Sequence, residues 1–577
     1  MRAALAAVLV LALLGGCGAG TRPVADEPPA PQAGPQVATR TPTSAPATPR
    51  PERPGEQPAA RPASVVLVLM DDFSMDLLRT MPQARVMQRE GASYENAYVV
   101  DSLCCVSRSS LLTGQYPHQT GVLTNTANTP NPVGPLGGWE AFESYGNTRR
   151  SVNVRLQRAG WTTGYVGKFL NQYQYVPGAA PPPVPAGWTD WQPVFSNAYN
   201  GWDFDVLEAD EDGVDVDHVD APPRDASEEA KDAAYVGTVI AERALDFVRE
   251  HRDDRAPYFL TVATYGTHAR VGPDPHYRGD PGFPPAFRDR ATAGRPGNCG
   301  AVACSDLGVA DLPGFGDDQA DNRPRRADGS RAPQWRPDVP AVGRASAVAT
   351  LRARAQMAQS IDRMVARIRE EAGPGTHVVL TSDNGFHVGQ HGLDRGKGTP
   401  FASDVQVPLL VTGPGVVPGV RSELVSNLDL APTLEELAGL RPAAYRSGTS
   451  LLPGLVDPTA DRRRYTFFEH TWAPSLGVDP DAAHAGGTTD SVPSYLAVRS
   501  HDGLLVRLDL DPSWEGTDHA WEFYDYGATG WEQANGYADP VHRDDVSRLA
   551  ERMAAFEECL RFTRDDAVPD RCRSLTR

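Results

Sequence analysis

Two short clusters of oxygen-bearing side chains follow apolar runs in the sequence. Asp71 and Asp72 come directly after one run, and Asp383 and Asn384 come shortly after another. Carboxylate and amide oxygens are hard ligands, which suit Ca²⁺ or Mg²⁺ better than a metal that prefers thiolates. An aspartate pair after a strand is also a common helix cap, and Asp-Asn-Gly is a common turn sequence. The four residues are therefore candidate metal ligands, and each cluster alone leaves the structural alternative open.

The elements that must position these side chains are predicted by hydrophobic patterning. Apolar runs of strand length alternate with amphipathic stretches, which indicates α/β structure with a largely parallel sheet covered on both faces. The predicted strands are 64–70, 162–166, 258–263 and 377–380, and the predicted helices are 152–159, 234–249 and 345–371.

Polar residues cluster near the ends of these predicted strands. They are Asp71, Asp72, Lys168, His268, Asp383 and Asn384. Open α/β sheets bind ligands beyond the carboxyl ends of their strands. Lys168 or His268 alone would be interpreted as a solvated surface side chain. Their shared placement with the acidic clusters predicts one common site.

Composition limits the classes of function. The 577 residues carry 55 basic and 74 acidic side chains, for a net charge of -19. This excess of acid argues against a general nucleic-acid binder, because neutralising phosphates needs clustered Lys and Arg. Hydrophobic residues make up 40% of the chain, which is enough for a sizeable core and excludes a wholly disordered protein. An anionic substrate in a local cationic pocket is still compatible with these numbers.

The N-terminal residues predict export and a lipid anchor. A basic start, a short apolar run from Ala3 to Leu14 and the small residues Gly15-Gly16 form a signal peptide over residues 1–17. Cys17 follows directly, as in bacterial lipoprotein signals, so we expect it to carry lipid on the extracytoplasmic side of the cell membrane. An ordinary secretory signal is the alternative. Residues 18–62 are rich in Pro, Ala, Thr and Arg, which predicts a disordered tether.

A longer motif carries a resemblance to a known family. Residues 104–114 read Cys-Cys-Val-Ser-Arg-Ser-Ser-Leu-Leu-Thr-Gly. They resemble the signature of the formylglycine-dependent (type I) sulfatases, in which cysteine, any residue, proline, serine and arginine precede a short spacer and Leu-Thr-Gly. Further matches follow in family order at 71–72, 167–171, His268, 382–387, Lys397, 407–409 and 429–433, and together cover about residues 63–440. The variants Lys-Phe-Leu-Asn and Gly-Phe-His-Val-Gly-Gln are most similar to the branch containing N-acetylglucosamine-6-sulfatases and related glycan sulfatases.

The resemblance implies hydrolysis of sulfate esters, with a sulfated carbohydrate or an aryl sulfate as the substrate. Cys104 would be oxidised to formylglycine by a formylglycine-generating enzyme, and one hydroxyl of its hydrated aldehyde would attack sulfur. The second hydroxyl would then collapse to the aldehyde and expel inorganic sulfate. A plain serine or cysteine lacks that release step.

The resemblance also implies roles for the other matched residues. One Ca²⁺ ion, with Mg²⁺ as the alternative, would be held by Asp71, Asp72, Asp383, Asn384 and the modified Cys104. Lys168 and Lys397 would neutralise the sulfate group. Arg108 would support the hydrated aldehyde, and His268 would protonate the leaving oxygen.

The sequence departs from the family pattern at two positions. Val106 stands where the signature has proline, which is expected to weaken recognition by the modifying enzyme. Leu170 stands where many members have a histidine, two residues after the first lysine. His387 is a candidate for the missing imidazole and so for a catalytic acid or base. Cys105 is expected to be a small buried residue.

Two other functions remain open at this point. A phosphodiesterase or phosphonate monoester hydrolase of the same superfamily can use a similar metal site, although paired cations at Lys168 and Lys397 favour sulfate. If Cys104 stays unmodified, the chain would be a catalytically inactive glycan-binding lipoprotein. Only Val106 favours that second interpretation, and fold alone never guarantees activity.

The implied architecture has two folded parts. The family predicts an alkaline-phosphatase-like α/β/α sandwich over residues 63–460 and a smaller C-terminal α+β domain over 461–577, with a helix at 545–560. The insertion from about 272 to 342 is rich in Pro, Gly, Asp and Arg. Loops of this length are usually functional or disordered, and we expect this one to lie at the rim of the active site and shape access for large substrates.

Cysteine spacing agrees with an exported protein. Cys299 lies close to Cys304, and Cys559 and Cys572 bracket the C-terminal tail. Two local disulfides are expected outside the cytoplasm, with free buried thiols as the alternative.

Lipid attachment at Cys17 can be tested directly. Cells grown with labelled fatty acid should incorporate the label into the exported protein, because the cysteine after the small residues is the one that lipoprotein signals modify. Cys17→Ser should lose the label and enter the soluble fraction, whereas Cys105→Ser should keep it. A Cys17→Ser variant that still partitions wholly with membranes would contradict the anchor.

Overall fold

A mixed sheet of ten strands forms the centre of the fold. The computed structural model describes residues 62–126, 136–271, 275–317, 319–336, 342–460, 463–472, 492–511 and 516–577. The signal peptide, Cys17 and the tether up to residue 61 lie outside the described residues, so those expectations stay predictions. The strands of this sheet are β1 (Ser64–Met70), β2 (Ala92–Tyr98), β3 (Thr162–Gly167), β4 (Asp190–Pro193), β5 (Phe204–Ala209), β6 (Val214–Val219), β7 (Tyr258–Ala263), β8 (Thr376–Ser382), β11 (Leu409–Thr412) and β12 (Gly419–Ser426). The small hairpin of β9 (His387–Val388) and β10 (Arg395–Gly396) lies between β8 and β11 in the chain.

The spatial order of the strands is β12-β2-β11-β8-β1-β7-β3-β4-β5-β6. The five strands from β8 to β4 run parallel to one another, whereas β11, β5 and β6 pair antiparallel with their neighbours. The expected parallel arrangement is therefore found in the centre of the sheet. The antiparallel strands at its flanks make the whole sheet mixed. All four predicted strands are confirmed within two residues at each end.

Helices cover both faces of this sheet. They are α1 (Pro82–Glu90), α2 (Cys104–Thr113), α3 (Pro117–Thr120), α4 (Gly138–Ser144), α5 (Val152–Arg158), α6 (Glu228–Ala233), α7 (Val236–His251), α8 (Arg344–Ala372), α9 (Ala402–Val405), α10 (Leu430–Leu437) and α11 (Leu452–Val456). None of the helices in the described ranges is long and apolar enough to cross a membrane.

Strand β1 shows how the two layers arise. Every one of its seven residues is buried, as a continuous apolar run predicts for a strand with both faces covered. Val66 and Val68 point into a core shared with α7 and α8, whereas Val65 and Leu67 point into a core shared with α2, α5 and α10. The period of two along a strand thus produces the α/β/α sandwich that was expected.

A smaller antiparallel sheet follows in the C-terminal part. Its strands, in chain and spatial order, are β13 (Thr466–His470), β14 (Ser494–Arg499), β15 (Gly503–Asp509) and β16 (His519–Asp525). The remaining helices are α12 (Tyr526–Thr529), α13 (Arg543–Glu557) and α14 (Asp570–Arg573). The apolar side of α13 packs on one face of the sheet, so the C-terminal helix predicted at 545–560 is confirmed with a shift of two to three residues. The division of the chain at residue 460 stays a prediction.

The insertion is tied down at several points. Both expected disulfides are present, Cys299–Cys304 within the insertion and Cys559–Cys572 in the tail. Arg325 exchanges two backbone hydrogen bonds with Trp521 on β16, at 2.9 and 2.7 Å. The carbonyl of Gly314 accepts a hydrogen bond of 2.8 Å from the backbone N–H of His391. The described parts of the insertion therefore lie against the C-terminal sheet and against the segment that follows β9, and their effect on substrate access stays a prediction.

The packing of α13 gives a stability test. Phe556 is buried and stacks on Phe467 of β13 with ring centroids 4.3 Å apart. Phe556→Ala should lower the free energy of unfolding by about 3–5 kcal/mol, because it removes a buried ring and leaves a cavity. Val541→Ala, at a position that is 74% exposed, is the control and should change little. Equal urea midpoints for the two variants would contradict the predicted contribution of the Phe556 ring to stability.

Candidate active site

Four adjacent parallel strands deliver most of the predicted site residues. In spatial order the strands are β8, β1, β7 and β3, and their carboxyl ends lie at one side of the sheet. Asp383 and Asn384 follow β8, Asp71 and Asp72 follow β1, His268 lies beyond β7, and Lys168 follows β3. The expectation that these residues share one site is confirmed by their contacts, and the roles assigned to them stay predictions.

The oxygen-bearing residues form a buried cluster. Asp71, Asp72, Asp383 and Asn384 are all fully buried. One ligand atom from each of the three carboxylates and from the thiol of Cys104 lies within 4.8 Å of the others. The amide nitrogen of Asn384 donates to Asp72 Oδ1 at 2.6 Å, and its carbonyl oxygen is buried without a hydrogen-bond partner among the described residues.

This cluster fits a hard divalent cation. A buried amide oxygen that accepts no hydrogen bond is costly unless a ligand satisfies it. Three carboxylates close together repel one another, and a cation between them would relieve that repulsion. The donor set consists mainly of oxygens, the type of ligand that Ca²⁺ and Mg²⁺ prefer.

Cys104 lies at the first position of α2, beside the acidic cluster. Its Sγ atom is 3.6 Å from Asp71 Oδ1 and 3.8 Å from Asp72 Oδ1. The Nζ atom of Lys397 lies 2.8 Å from the same sulfur. Because the N-terminus of a helix carries partial positive charge, an anion bound at Cys104 would be stabilised by α2 as well as by the lysine.

Arg108 lies one turn further along the same helix. Residues four apart share a helix face, so Arg108 points toward the same site as Cys104. Its Nε donates to Asp383 Oδ2 at 2.8 Å, and its Nη1 donates to the carbonyl of Lys168 at 2.7 Å. The guanidinium thus holds the ends of β8 and β3 together beneath Cys104.

Both lysines of the motifs are buried and paired. Lys168 Nζ lies 2.8 Å from each carboxylate oxygen of Asp71, and Lys397 Nζ lies 2.7 Å from Asp72 Oδ1. His268 lies near the other carboxylate oxygen of Asp72, with Nε2 3.5 Å from Oδ2, and its ring is within 4.8 Å of the Cys104 sulfur. Its Nδ1 is 2.6 Å from the carbonyl of Ala269, which fixes the orientation of the ring.

Burial and charge act in opposite directions on the carboxyl groups. Burial raises the pKa of Asp71 to about 6, although Lys168 opposes the change. Burial also acts to raise the pKa of Asp383, but Arg108, Lys168 and Lys397 outweigh it and bring the pKa to about 2. Asp383 therefore carries a negative charge at neutral pH.

The thiol of Cys104 is poorly suited to act as a nucleophile. Burial, together with the negative charge of Asp383, raises its pKa well above the usual value for cysteine. Only the thiolate attacks efficiently, so the thiol as it stands has low reactivity at neutral pH. The neighbouring Cys105 is also buried and free of a disulfide, and burial raises its pKa to about 12.

His387 lies against the loop that carries Lys397. Its ring is fully buried, and its Nδ1 lies 2.9 Å from Asp404 Oδ1. Asp404 also accepts hydrogen bonds from the backbone N–H and the hydroxyl of Thr399, at 3.0 and 2.6 Å. His387 thus lies next to the site, and Asp404 links its ring to Thr399, two residues after Lys397. Its role as an acid or base stays a prediction.

Two contacts of the site were missed by the sequence analysis. Arg354 on α8 is fully buried and donates to the backbone carbonyl of Asp72, which has a left-handed φ of 54°. Arg354 lies three residues after the buried Leu351, on the same side of α8, and an arginine at that spacing was the available signal. Tyr199 has its ring centroid 5.0 Å from Lys168 Nζ and 4.6 Å from the ring of His268, and no local pattern indicated it.

The sequence comparisons agree with this geometry. The sulfatase family profile matches residues 63–440. The chain belongs to the sulfatase family. Its motifs at 71–72, 104–114 and 382–387 all fall inside the matched range.

Two curated relatives of this sulfatase-family chain illustrate the similarity. The extracellular sulfatase SULF-1 homolog of Drosophila melanogaster is 31% identical over 413 residues, which cover 69% of this chain and 31% of that protein. The N-acetylglucosamine-6-sulfatase of Homo sapiens is 28% identical over 412 residues, which cover 69% of this chain and 65% of that protein. The chain thus spans between about a third and two thirds of the length of these relatives.

Solved structures show the same fold. A protein in complex with its substrate D-glucosamine-2-N,6-O-disulfate has a TM-score of 0.59 at 17% identity, covering 88% of this chain and 99% of that one. The phosphonate monoester hydrolase of Silicibacter pomeroyi has a TM-score of 0.55 at 19% identity, covering 85% of this chain and 94% of that one. These structures confirm the sulfatase-like α/β/α fold with its smaller C-terminal domain.

Cation binding by the acidic cluster is expected to depend on Asp383. In calorimetric titrations with CaCl₂ and, separately, MgCl₂, the purified protein should bind one ion, and Asp383→Asn should weaken binding by about tenfold or more because it removes a charged ligand and keeps the shape. Glu242→Gln is the control, since Glu242 is a carboxylate on α7 that pairs with Arg367 at the surface. A preference for Zn²⁺ over both ions, or equal affinity of the two variants, would contradict the assignment.

Proposed function

We propose that the protein hydrolyses sulfate esters of sugars or glycans with a formylglycine made from Cys104. The observation that carries the proposal is the position of Cys104, buried at the start of α2 and within 2.8 Å of Lys397 Nζ. Formylglycine supplies a hydrated aldehyde, with one hydroxyl to attack sulfur and a second that allows sulfate to be released. A Ca²⁺ ion, or Mg²⁺, held by Asp71, Asp72, Asp383 and Asn384 supplies Lewis-acid polarisation of oxygen atoms.

The chain's own residues would bind and orient the sulfate group. Lys168 and Lys397 are cations buried beside Cys104, and the N-terminus of α2 adds partial positive charge. In a site shielded from water, these charges act more strongly on an anion than they would at the surface. Arg108 donates hydrogen bonds to Asp383 and to the carbonyl of Lys168. It would therefore hold α2, the helix that begins with Cys104, against the ends of β8 and β3.

His268 is the residue proposed to donate a proton to the leaving oxygen. Its Nδ1 points at the carbonyl of Ala269, so Nε2 is the atom that would carry the transferable proton. The contact between Nε2 and Asp72 Oδ2, at 3.5 Å, helps to orient the ring.

Two observations support the formylglycine step. The raised pKa of the Cys104 thiol makes direct attack by this side chain unfavourable, whereas a hydrated aldehyde needs no thiolate. The charged residues of the predicted site lie together around Cys104, which argues against a catalytically inactive glycan-binding protein. The maturation partner would be a formylglycine-generating enzyme, and the proposed location is outside the cytoplasm, anchored through lipid on Cys17.

A phosphonate or phosphate ester is the second candidate substrate. The likeness to the phosphonate monoester hydrolase favours it, although at 19% identity that likeness concerns the fold. The paired lysines favour sulfate, and so does a ligand set for one metal ion, the arrangement found among the described residues. The names of the curated relatives, both sulfatases, support the same choice.

Modification of Cys104 provides the decisive test. Mass spectrometry of the peptide with Cys104-Cys105 should show an aldehyde in place of the first thiol. Cys104→Ser should stop multiple turnover of 4-nitrophenyl sulfate, because a serine sulfate lacks the second hydroxyl. Val106→Pro should raise the modified fraction, and specific activity should rise in proportion.

Cys105→Ser is the matched control, since this neighbour is also buried and free. It should keep most of the activity and the aldehyde at position 104. A fully active preparation with an unmodified Cys104 thiol, or a higher kcat/KM for a phenylphosphonate monoester than for the aryl sulfate, would overturn the proposal.

A further inference from the structure

One buried arginine contacts both of the loops that carry the candidate metal ligands. Arg354 lies in α8 and is fully buried. Its Nη2 donates to the backbone carbonyl of Asp72 and, at 3.1 Å, to the hydroxyl of Ser74, and both residues follow β1. Its Nη1 donates to the backbone carbonyl of Phe386 at 3.4 Å, in the segment that follows β8. A single guanidinium therefore connects the loop after β1 with the loop after β8.

The hydroxyl of Ser74 links the same two loops directly. Its Oγ donates to the backbone carbonyl of Phe386 and accepts from the backbone N–H of Phe386, each at 2.9 Å. Because Arg354 Nη2 also contacts this hydroxyl, the guanidinium and the serine form one hydrogen-bonded group between the loops. This group fixes how far apart the two loops lie.

Asp72 has a backbone conformation that needs support. Its φ of 54° lies in the left-handed region, which residues with a Cβ rarely adopt. Its carbonyl accepts from Arg354 and, at 3.1 Å, from Thr267 Oγ1, and its N–H donates to Asp383 Oδ1 at 3.2 Å. Uncommon conformations of this kind persist where the surrounding contacts over-determine them. The contact with Arg354 therefore stabilises the conformation in which Asp72 presents its carboxylate to the acidic cluster.

The charge of Arg354 is unfavourable to bury, and in the described part of the chain it forms no ion pair. The rings of Phe386 and Phe283 cover the guanidinium, with centroids 5.1 and 6.0 Å from Cζ. Burial lowers the pKa of this group, and the negative charges of Asp76 and Asp72 oppose that change. An apolar side chain would be more favourable at such a position unless the loops depend on the hydrogen bonds of the guanidinium.

We infer that Arg354 is a positioning residue of the cation site, which acts with Ser74 by fixing the spacing of the two ligand-bearing loops. The inference rests on the cation site of the proposed function, and it adds a residue that contacts the backbone of these loops rather than their carboxylates. Charge alone would have the opposite effect, because a positive group beside the site repels a bound cation. The two roles therefore predict changes of opposite sign when the charge is removed.

The test measures cation binding by variants of Arg354. Arg354→Met keeps an extended side chain and removes the charge and the hydrogen bonds. In calorimetric titrations with CaCl₂ and, separately, MgCl₂, it should weaken binding by about tenfold to a hundredfold, the usual effect of losing a residue that supports metal ligands. Arg354→Lys keeps the charge without the forked donors, so it should weaken binding as well. Unchanged or tighter binding by Arg354→Met would overturn the inference.

Arg421→Met is the matched control. Arg421 is also fully buried, and it donates to the backbone carbonyls of Gly454, Gly419 and Val417 at 2.8, 3.0 and 2.6 Å. It lies on β12, at the edge of the sheet, and so supports backbone other than the ligand loops. Both variants should lower the melting temperature, but only Arg354→Met should weaken cation binding. Equal cation affinities of the two variants would overturn the positioning role.

Bound Tb³⁺ gives a readout that a loss of stability alone does not change. This ion replaces Ca²⁺ at oxygen sites, and its luminescence lifetimes in H₂O and D₂O count the water molecules bound to it. Loops that are no longer held at their spacing should admit additional water as ligands. The lifetime in H₂O should therefore be shorter for the Arg354 variants than for the unaltered protein and Arg421→Met. An unchanged lifetime would contradict the inference.

Ser74→Ala covers the case in which the Arg354 variants do not fold. It removes one acceptor of Arg354 and the bridge to Phe386, and leaves the guanidinium in place. It should weaken cation binding by about fivefold, the effect of one hydrogen bond. A Ser74→Ala variant that binds the ion as tightly as the unaltered protein would overturn the inference.

Failure of the proposed function would look different. An unaltered protein that binds neither Ca²⁺ nor Mg²⁺ would refute the cation site, and the inference with it. Tight binding by the unaltered protein and by the Arg354 variants alike would overturn the inference alone. A protein that binds the ion but cleaves no sulfate ester would refute the sulfatase activity, whereas weaker binding by Arg354→Met would still support the positioning role, since the titrations need no turnover.

Discussion

Charge buried at the carboxyl ends of four parallel strands is the constraint on which the rest of the structure depends. Asp71, Asp72 and Asp383 are fully buried, and so is Lys397. An isolated charge in such a place costs several kcal/mol, so the three acids need cations at contact distance. Lys168, Lys397 and Arg108 each contact one or more of these acids, and each comes from a different segment of the chain. Sheet order, the start of α2 and the loop after β10 must therefore be correct together for the site to exist.

The same constraint explains why distant parts of the chain support the loop of Lys397. Glu532, from the C-terminal part, accepts a hydrogen bond of 2.7 Å from the backbone of Ala402, and its Oε2 lies 3.4 Å from His391 Nε2. Gly314 of the insertion binds the backbone of His391. Lys397 lies between His391 and Ala402 in the chain, so the C-terminal part and the insertion both restrain the segment that presents it. A lysine held in this way loses little conformational entropy when an anion binds.

Some contacts of the site follow from local motifs, and others do not. The reacting centre needs charged groups at fixed distances, and its residues occur in motifs that can be recognised along the sequence. Tyr199 lies in a turn without recognisable periodicity, and it contacts the site only because that turn packs against Lys168. Its ring centroid is also 4.6 Å from that of His268. Such a contact depends on the fold and has no local signal.

The sequence by itself determined the strands, the main helices, the family and the set of charged residues. Local patterns encode these features. A run of six apolar residues, 65–70, is buried on both faces, and the motif at 104–114 indicates the family and its chemistry. Only the tertiary structure decided which residues touch. Lys397 meets Cys104 across 293 positions of the chain, and Arg354 meets the backbone of Asp72 across 282. It also decided the antiparallel flanks of the sheet and the attachment of the insertion to β16. Contacts of this kind arise from packing between remote segments, and the free energy of burying charge, rather than any local preference, selects among them.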